Sequence, residues 1–124
     1  MTQNLKRGGI WLANLNPSKG TGAGAGAGAG KTRLVLILQN QALLDIAHPS
    51  TLIVPLTTTL IEKAYPLRIR VKAKDKLKKD SDLLIDQIRA IDNNRLVHGP
   101  LTVLEKDMMK KINDAVGEVA GTLQ

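Results

Sequence analysis

The chain has 124 residues, 43% of them hydrophobic, which suits a single domain over residues 1–124 with one core. It carries 18 basic and 11 acidic residues, a net charge of +7, no cysteine, and His48 and His98 as its imidazoles. That excludes disulfides, thiolate chemistry and cysteine-bound metals, and two isolated histidines make a weak case for a metal site.

No stretch approaches the roughly 20 apolar residues of a membrane helix. The N-terminus, Met1 to Arg7, leads into no apolar signal segment. A cytoplasmic protein without membrane contact is expected. The positive charge is segregated. Residues 1–44 hold no acid, and residues 63–79 set eight basic residues against Asp75. Such a distribution points to a polyanion, most often a nucleic acid; solvated lysines facing an acidic partner protein are the plainer account. Trp11 and Tyr65 are the only aromatics. A binder that stacks bases on aromatic platforms is therefore not expected, and contacts would rest on Arg, Lys and backbone groups.

In chain order, Gly8 to Leu15 is an apolar run that reads as a first strand, stopped by the turn chemistry of Asn16-Pro17-Ser18-Lys19-Gly20. The Gly-Ala alternation at 20–30 carries no polar information and reads as an engineered replacement or a placeholder. Its end, Gly30-Lys31-Thr32, invites a phosphate-loop reading. That reading fails because Ala25 stands where the pattern needs glycine and a strand follows where it needs a helix. The strand, residues 33–39, is a buried apolar run with Lys31 and Arg33 at its lip, a suitable place to hold a phosphate.

Residues 40–50 read as a loop. Thr51–Thr57 is a third strand, with Pro55 arguing for a sheet edge or bulge, and Thr57, Thr58 and Thr59 cluster at its end. Leu67–Lys72 alternates, Arg68, Arg70 and Lys72 on one face, Ile69 and Val71 on the other. The basic row continues through Lys74, Lys76 and Lys78, either as a polyanion track or as a solvated face that blunts a sheet edge. Asp80–Asp92 holds one or two strands, and Asn93-Asn94-Arg95 is a turn. Thr102 and Glu105 fit a capping box, so a helix should begin there. Its apolar face would be Leu104, Met108, Ile112, Ala115, Val116 and Val119, with Gly121 as its end. The sum is a mainly β fold, a small, partly open antiparallel barrel with a C-terminal helix.

Five stretches in this order resemble the MazF/PemK (Kid) family of toxin endoribonucleases, the mRNA interferases. They are Lys6-Arg7-Gly8-Gly9-Ile10-Trp11-Leu12, Leu15-Asn16-Pro17 with Gly20, Lys31 to Asn40, Val54-Pro55-Leu56-Thr57, and Asp86-Gln87-Ile88-Arg89-Ala90-Ile91-Asp92. The resemblance implies an SH3-like barrel of the CcdB/Kid/MazF type that forms a homodimer. It implies sequence-specific, metal- and cofactor-independent cleavage of single-stranded mRNA by the RNA's own 2′-hydroxyl, and neutralisation by an acidic, MazE-like antitoxin. By position, the catalytic arginine falls on Arg33 and the threonine on Thr57, with Thr58 as the alternative. Asp86 is the candidate acid/base, a structural acceptor being the equal alternative, and Lys31, Thr58, Gln87 and Arg89 are candidate RNA contacts. The chain departs from the pattern at the Gly-Ala repeat, at Leu34 in place of proline and at Gly9 in place of an acid. A gyrase poison of the CcdB kind, or a module that grips RNA without cutting it, are the competing readings.

Overall fold

The computed structural model describes residues 4–15 and 31–122; the Gly-Ala repeat at 20–30 lies outside them. Strand β1 (Gly9–Ala13) pairs antiparallel with β2 (Arg33–Ile37), Ile10 opposite Leu36 and Ala13 opposite Arg33. Strand β2 pairs with β3 (Ser50–Thr57), Val35 opposite Pro55 and Ile37 opposite Ile53. Both central runs are apolar without interruption because both faces of this part of the sheet are buried. Ile10, Leu36, Val54 and Leu56 belong to one apolar cluster. Their alternates Trp11, Ala13, Val35, Ile37 and Ile53 belong to a second one on the opposite face.

The chain enters β1 through Gly8, whose φ of +95° lies where a side chain is strained. There its N–H donates to Ile37 O (2.9 Å) and its carbonyl accepts from Leu104 N (2.9 Å). Gly8 thus ties β2 to the segment before the last helix.

The expected loop at 40–50 contains one helical turn, Gln41–Asp45, capped by the Asn40 side chain, which accepts from Ala42 N. Asparagine beside an apolar run was the available signal. The outer side of β3 changes partner along its length. Ser50–Ile53 pair with β6 (Arg89–Asp92), and Leu56 and Thr57 pair with β5 (Ser81–Leu84). Pro55 is therefore not on a sheet edge. It sits in an interior strand at the point where the outer ladder is interrupted between β6 and β5, so its missing N–H is tolerated.

Strand β4 (Arg68–Val71) pairs with β5, Ile69 opposite Leu83. The alternating basic row does not continue as strand: beyond Val71 the chain turns, with Lys74 and Leu77 bridged and Leu77 buried. The tip of this hairpin reaches the far end of the sheet. Lys76 N donates to Leu101 O (2.9 Å), and the Thr102 hydroxyl donates to Asp75 Oδ2 (2.7 Å). The strand order β4-β5-β3-β2-β1-β7, where β7 is Leu96–Val103, is thereby bent into a partly open barrel, with β6 beside β3.

The last strand, β7, was not among the expected elements, and it contains Gly99-Pro100, a pair that ordinarily breaks a strand. It is tolerated because β7 pairs with β1 alone and so lies at an edge. A Cβ on Gly99 would come within 2.5 Å of Trp11 Cδ2, so glycine is what lets β7 cross the indole. The C-terminal helix is Lys106–Ala120, not the earlier start that a capping box would give. Thr102 is committed to Asp75, and Glu105 sits at the N-cap without a side-chain capping bond, its carboxylate paired with Lys74 instead. Met109, Ile112 and Ala115 are buried against the first cluster, with Leu104, Met108, Val116 and Val119 packed beside them. Gly121, at φ +82°, ends the helix as expected. This helix covers one face of the sheet and leaves the ends of β2, β3 and β6 on the other.

Candidate active site

The register fixes which side chains share the face away from the helix. Arg33 lies opposite Ala13, and Arg89 lies opposite Ile53; both partners belong to the second cluster. Arg33 and Arg89 each open a strand, so each is rooted on rigid backbone while its guanidinium is exposed. The turn Ile85–Gln87 precedes β6 and is anchored by fully buried Ile85, whose N–H donates to Leu67 O (2.9 Å). That anchor delivers Gln87.

These elements enclose a cavity of about 360 Å³. Leu15, Pro55, Leu56 and Leu84 give it apolar walls; Lys31, Arg33, Gln87 and Arg89 give it three cations and an amide. Among the described residues, no hydrogen bond or ion pair engages the side chains of Lys31, Arg33 or Arg89. Cations held near one another without counter-ions form a receptor for an anion.

Thr57, Thr58 and Asp86 are not part of the cavity wall. The β2–β3 ladder begins at Val35 opposite Pro55, so Arg33 and Thr57 each lie two residues beyond it, on the face that Val35 and Pro55 share. Thr57 is half-buried, and its Oγ1 accepts from Thr59 N–H (3.1 Å). Thr58 is exposed at the end of β3. Asp86 is exposed on the turn before Gln87. Among the described residues, no group of three or more His, Asp or Glu side chains converges as a metal-binding set.

A second basic group lies farther along this face, and its chemistry was not foreseen. Arg68 and Arg70 close on Asp82, which is 1% exposed. Arg70 Nε is 2.5 Å from Oδ1, Arg68 Nη1 is 3.3 Å from Oδ2, and Ile61 N–H donates to Oδ2 at 3.0 Å. Burial works to raise the Asp82 pKa, but the hydrogen bonds from Arg70, Ile61 and Arg68 outweigh it and hold the carboxyl below its ordinary range. Glu62 also pairs with Arg70, at 3.0 Å. The regular part of the basic row is thus neutralised from within. The signal that would have found this is an acid at Asp82, on a strand able to pair with β4.

A family model described as the PemK-like, MazF-like toxin of type II toxin–antitoxin systems matches residues 6–120. The chain is 38% identical over 114 residues to a protein named Endoribonuclease MazF from Staphylococcus saprophyticus, covering 90% of this chain and 88% of that one. It is 31% identical over 116 residues to Endoribonuclease EndoA of Bacillus subtilis, covering 90% of each. Among solved structures, the Mycobacterium tuberculosis toxin MazF-mt6 superposes with a TM-score of 0.70 at 21% identity, over 91% of this chain and 96% of that one. A mycobacterial endoribonuclease in complex with its cognate antitoxin gives 0.69 at 20% identity, over 99% of each. At these identities the structural likeness speaks for the fold, and the sequence relatives speak for the family.

Proposed function

Because the chain belongs to the PemK-like, MazF-like toxins of type II toxin–antitoxin systems and is an endoribonuclease of that family, we propose that its cavity is where RNA is cut. The observation that carries this reading is the meeting of unneutralised Lys31, Arg33 and Arg89 with Gln87 around one concave site. The substrate is single-stranded mRNA. The ribose 2′-hydroxyl gives up its proton and its oxygen attacks the adjacent phosphorus. The bond from phosphorus to the 5′-oxygen breaks, and that oxygen takes a proton. The products are a 2′,3′-cyclic phosphate and a 5′-hydroxyl, and no metal takes part.

In this scheme Arg33 pins two phosphoryl oxygens with its fork and stabilises the charge that grows on them. A guanidinium offers donors and no acceptor, so it is not the base. The Thr57 hydroxyl, on the same face as Arg33, donates a further hydrogen bond. Asp86 is the candidate acid/base; lying outside the cavity wall, it would serve a ribose that overhangs the rim. Lys31, Thr58, Gln87 and Arg89 hold the neighbouring nucleotides. The protein works in the cytoplasm as a homodimer, and an acidic antitoxin neutralises it by competing for these cations.

The test is to incubate the purified protein with a long single-stranded RNA in EDTA and to identify the new ends. Cyclic phosphate and 5′-hydroxyl ends are expected, and Arg33→Ala abolishes them. Undiminished cutting by Arg33→Ala, or a strict need for a divalent cation, overturns the reading.

A further inference from the structure

We propose that Asp82 is a positioning residue for cleavage, acting through Thr57. This deepens the reading above and rests on Thr57 taking part in it. Asp82 is the register partner of Thr57 in the β3–β5 ladder, so the two residues face the same way. Its buried carboxylate organises the segment that leaves β3. One oxygen accepts from Ile61 N–H, and the guanidinium groups it holds reach back to the same segment. Arg68 Nη1 donates to Thr59 O (3.0 Å), and Arg70 Nη2 donates to Ile61 O (3.4 Å). Residues 59 and 61 are therefore fixed by one carboxylate and its two arginines.

Thr59 in turn determines what the Thr57 hydroxyl can do. The Thr59 N–H donates to Thr57 Oγ1. A hydroxyl has one hydrogen and two acceptor positions. With Thr59 filling one acceptor position, the hydrogen turns away from that N–H and is left to be given elsewhere. Contacts thus run from Asp82 through Arg68 to Thr59 and on to Thr57, and they end in an oriented donor. Asp82 never meets the RNA in this arrangement. Its effect is on the geometry of a group that does.

The experiment is a kinetic cycle on an RNA with a single cleavage site, using Asp82→Asn, Thr57→Ala and the double variant. Arg68→Gln serves as a second, milder probe that keeps the carboxylate. Displacing a positioned group by a fraction of an ångström to 1 Å costs on the order of 10- to 100-fold in rate. Asp82→Asn should therefore lower kcat by about that much with KM changed less than about twofold. Arg68→Gln should act in the same direction but more weakly. In the Thr57→Ala background both substitutions should be silent, because the donor they orient is gone. Losses that multiply with that of Thr57→Ala overturn the role of Asp82 while leaving the site intact, as does wild-type kcat in Arg68→Gln. Should Asp82→Asn fail to fold, Arg68→Gln and its double variant decide the matter. Wild-type activity in Thr57→Ala instead overturns the assignment of Thr57, and this inference with it.

Discussion

Arg68 and Arg70 on one side, Arg33 and Arg89 on the other, share a face of the sheet and differ in their electrostatics. The first pair surrounds a buried carboxylate and is consumed by it. The second pair lines a cavity with Lys31 and finds no anion among the described residues. A guanidinium closed on a buried carboxylate is part of the scaffold, because removing either partner strands a desolvated charge. An open one is cheap to remove and useful to a ligand. The positive charge of the chain is therefore divided between holding the fold and holding a polyanion, and the pairing of β4 with β5 makes the division.

The sharpest way to break this contrast is Arg33→Ala. Arg33 is exposed, so unfolding in urea should change by less than about 0.5 kcal/mol. Cleavage should fall about 10³-fold, the scale of losing one preorganised donor to a developing oxyanion. A stability loss equal to that of a core variant would place Arg33 with the scaffold instead. Asp82→Ala is the opposite case. It strands Arg68 and Arg70 beside a vacated site and should cost about 3 kcal/mol in the same urea experiment. If Asp82→Ala unfolds at the wild-type midpoint, the two pairs do not differ in the way described.

Much of the frame was legible because it rests on period. Uninterrupted apolar runs at β1 and β2 announced strands buried on both faces, and the Ile112–Ala115–Val119 spacing announced the helix. Strand β7 was hidden by Gly99-Pro100, whose tolerance depends on an edge position and on Trp11, both facts of tertiary structure. The Thr102–Glu105 motif misled for a similar reason, since Asp75 on a distant hairpin competes for the hydroxyl. At the site, Arg33, Lys31, Gln87 and Arg89 were named from motif position and the fold gathers them. Asp86 and Thr58 were named on the same basis, and neither lines the cavity. Asp82 carried no signal of its role, because the depth of an acid on a short strand is a fact of tertiary structure.

Acid titration separates the two groups more gently. The folded pKa of Asp82 lies below its ordinary value of 3.8, so its contribution to stability is present above that value and is lost as the pH falls through the folded pKa. Wild-type protein should lose more unfolding free energy between about pH 5 and pH 3 than Asp82→Asn does. Arg33→Ala should retain the wild-type slope. Parallel slopes in all three proteins would mean that the carboxylate does not stabilise the fold as a charge.

The smallest effect expected is that of Arg89→Ala, and it tests the open pair most specifically. Arg89 shares the cavity with Arg33 but starts a different strand, so it can grip a neighbouring phosphate without touching the reacting one. Losing one phosphate contact should weaken binding of an uncleavable, 2′-deoxy-substituted RNA by about tenfold at low salt and lower the salt slope by about 0.7. The cleavage rate at saturating RNA should stay near that of the wild type, because binding lost equally from ground and transition states raises KM alone. An unchanged salt slope would show that Arg89 meets no phosphate. A fall in kcat as deep as that of Arg33→Ala would make both guanidinium groups part of one clamp on the scissile phosphate.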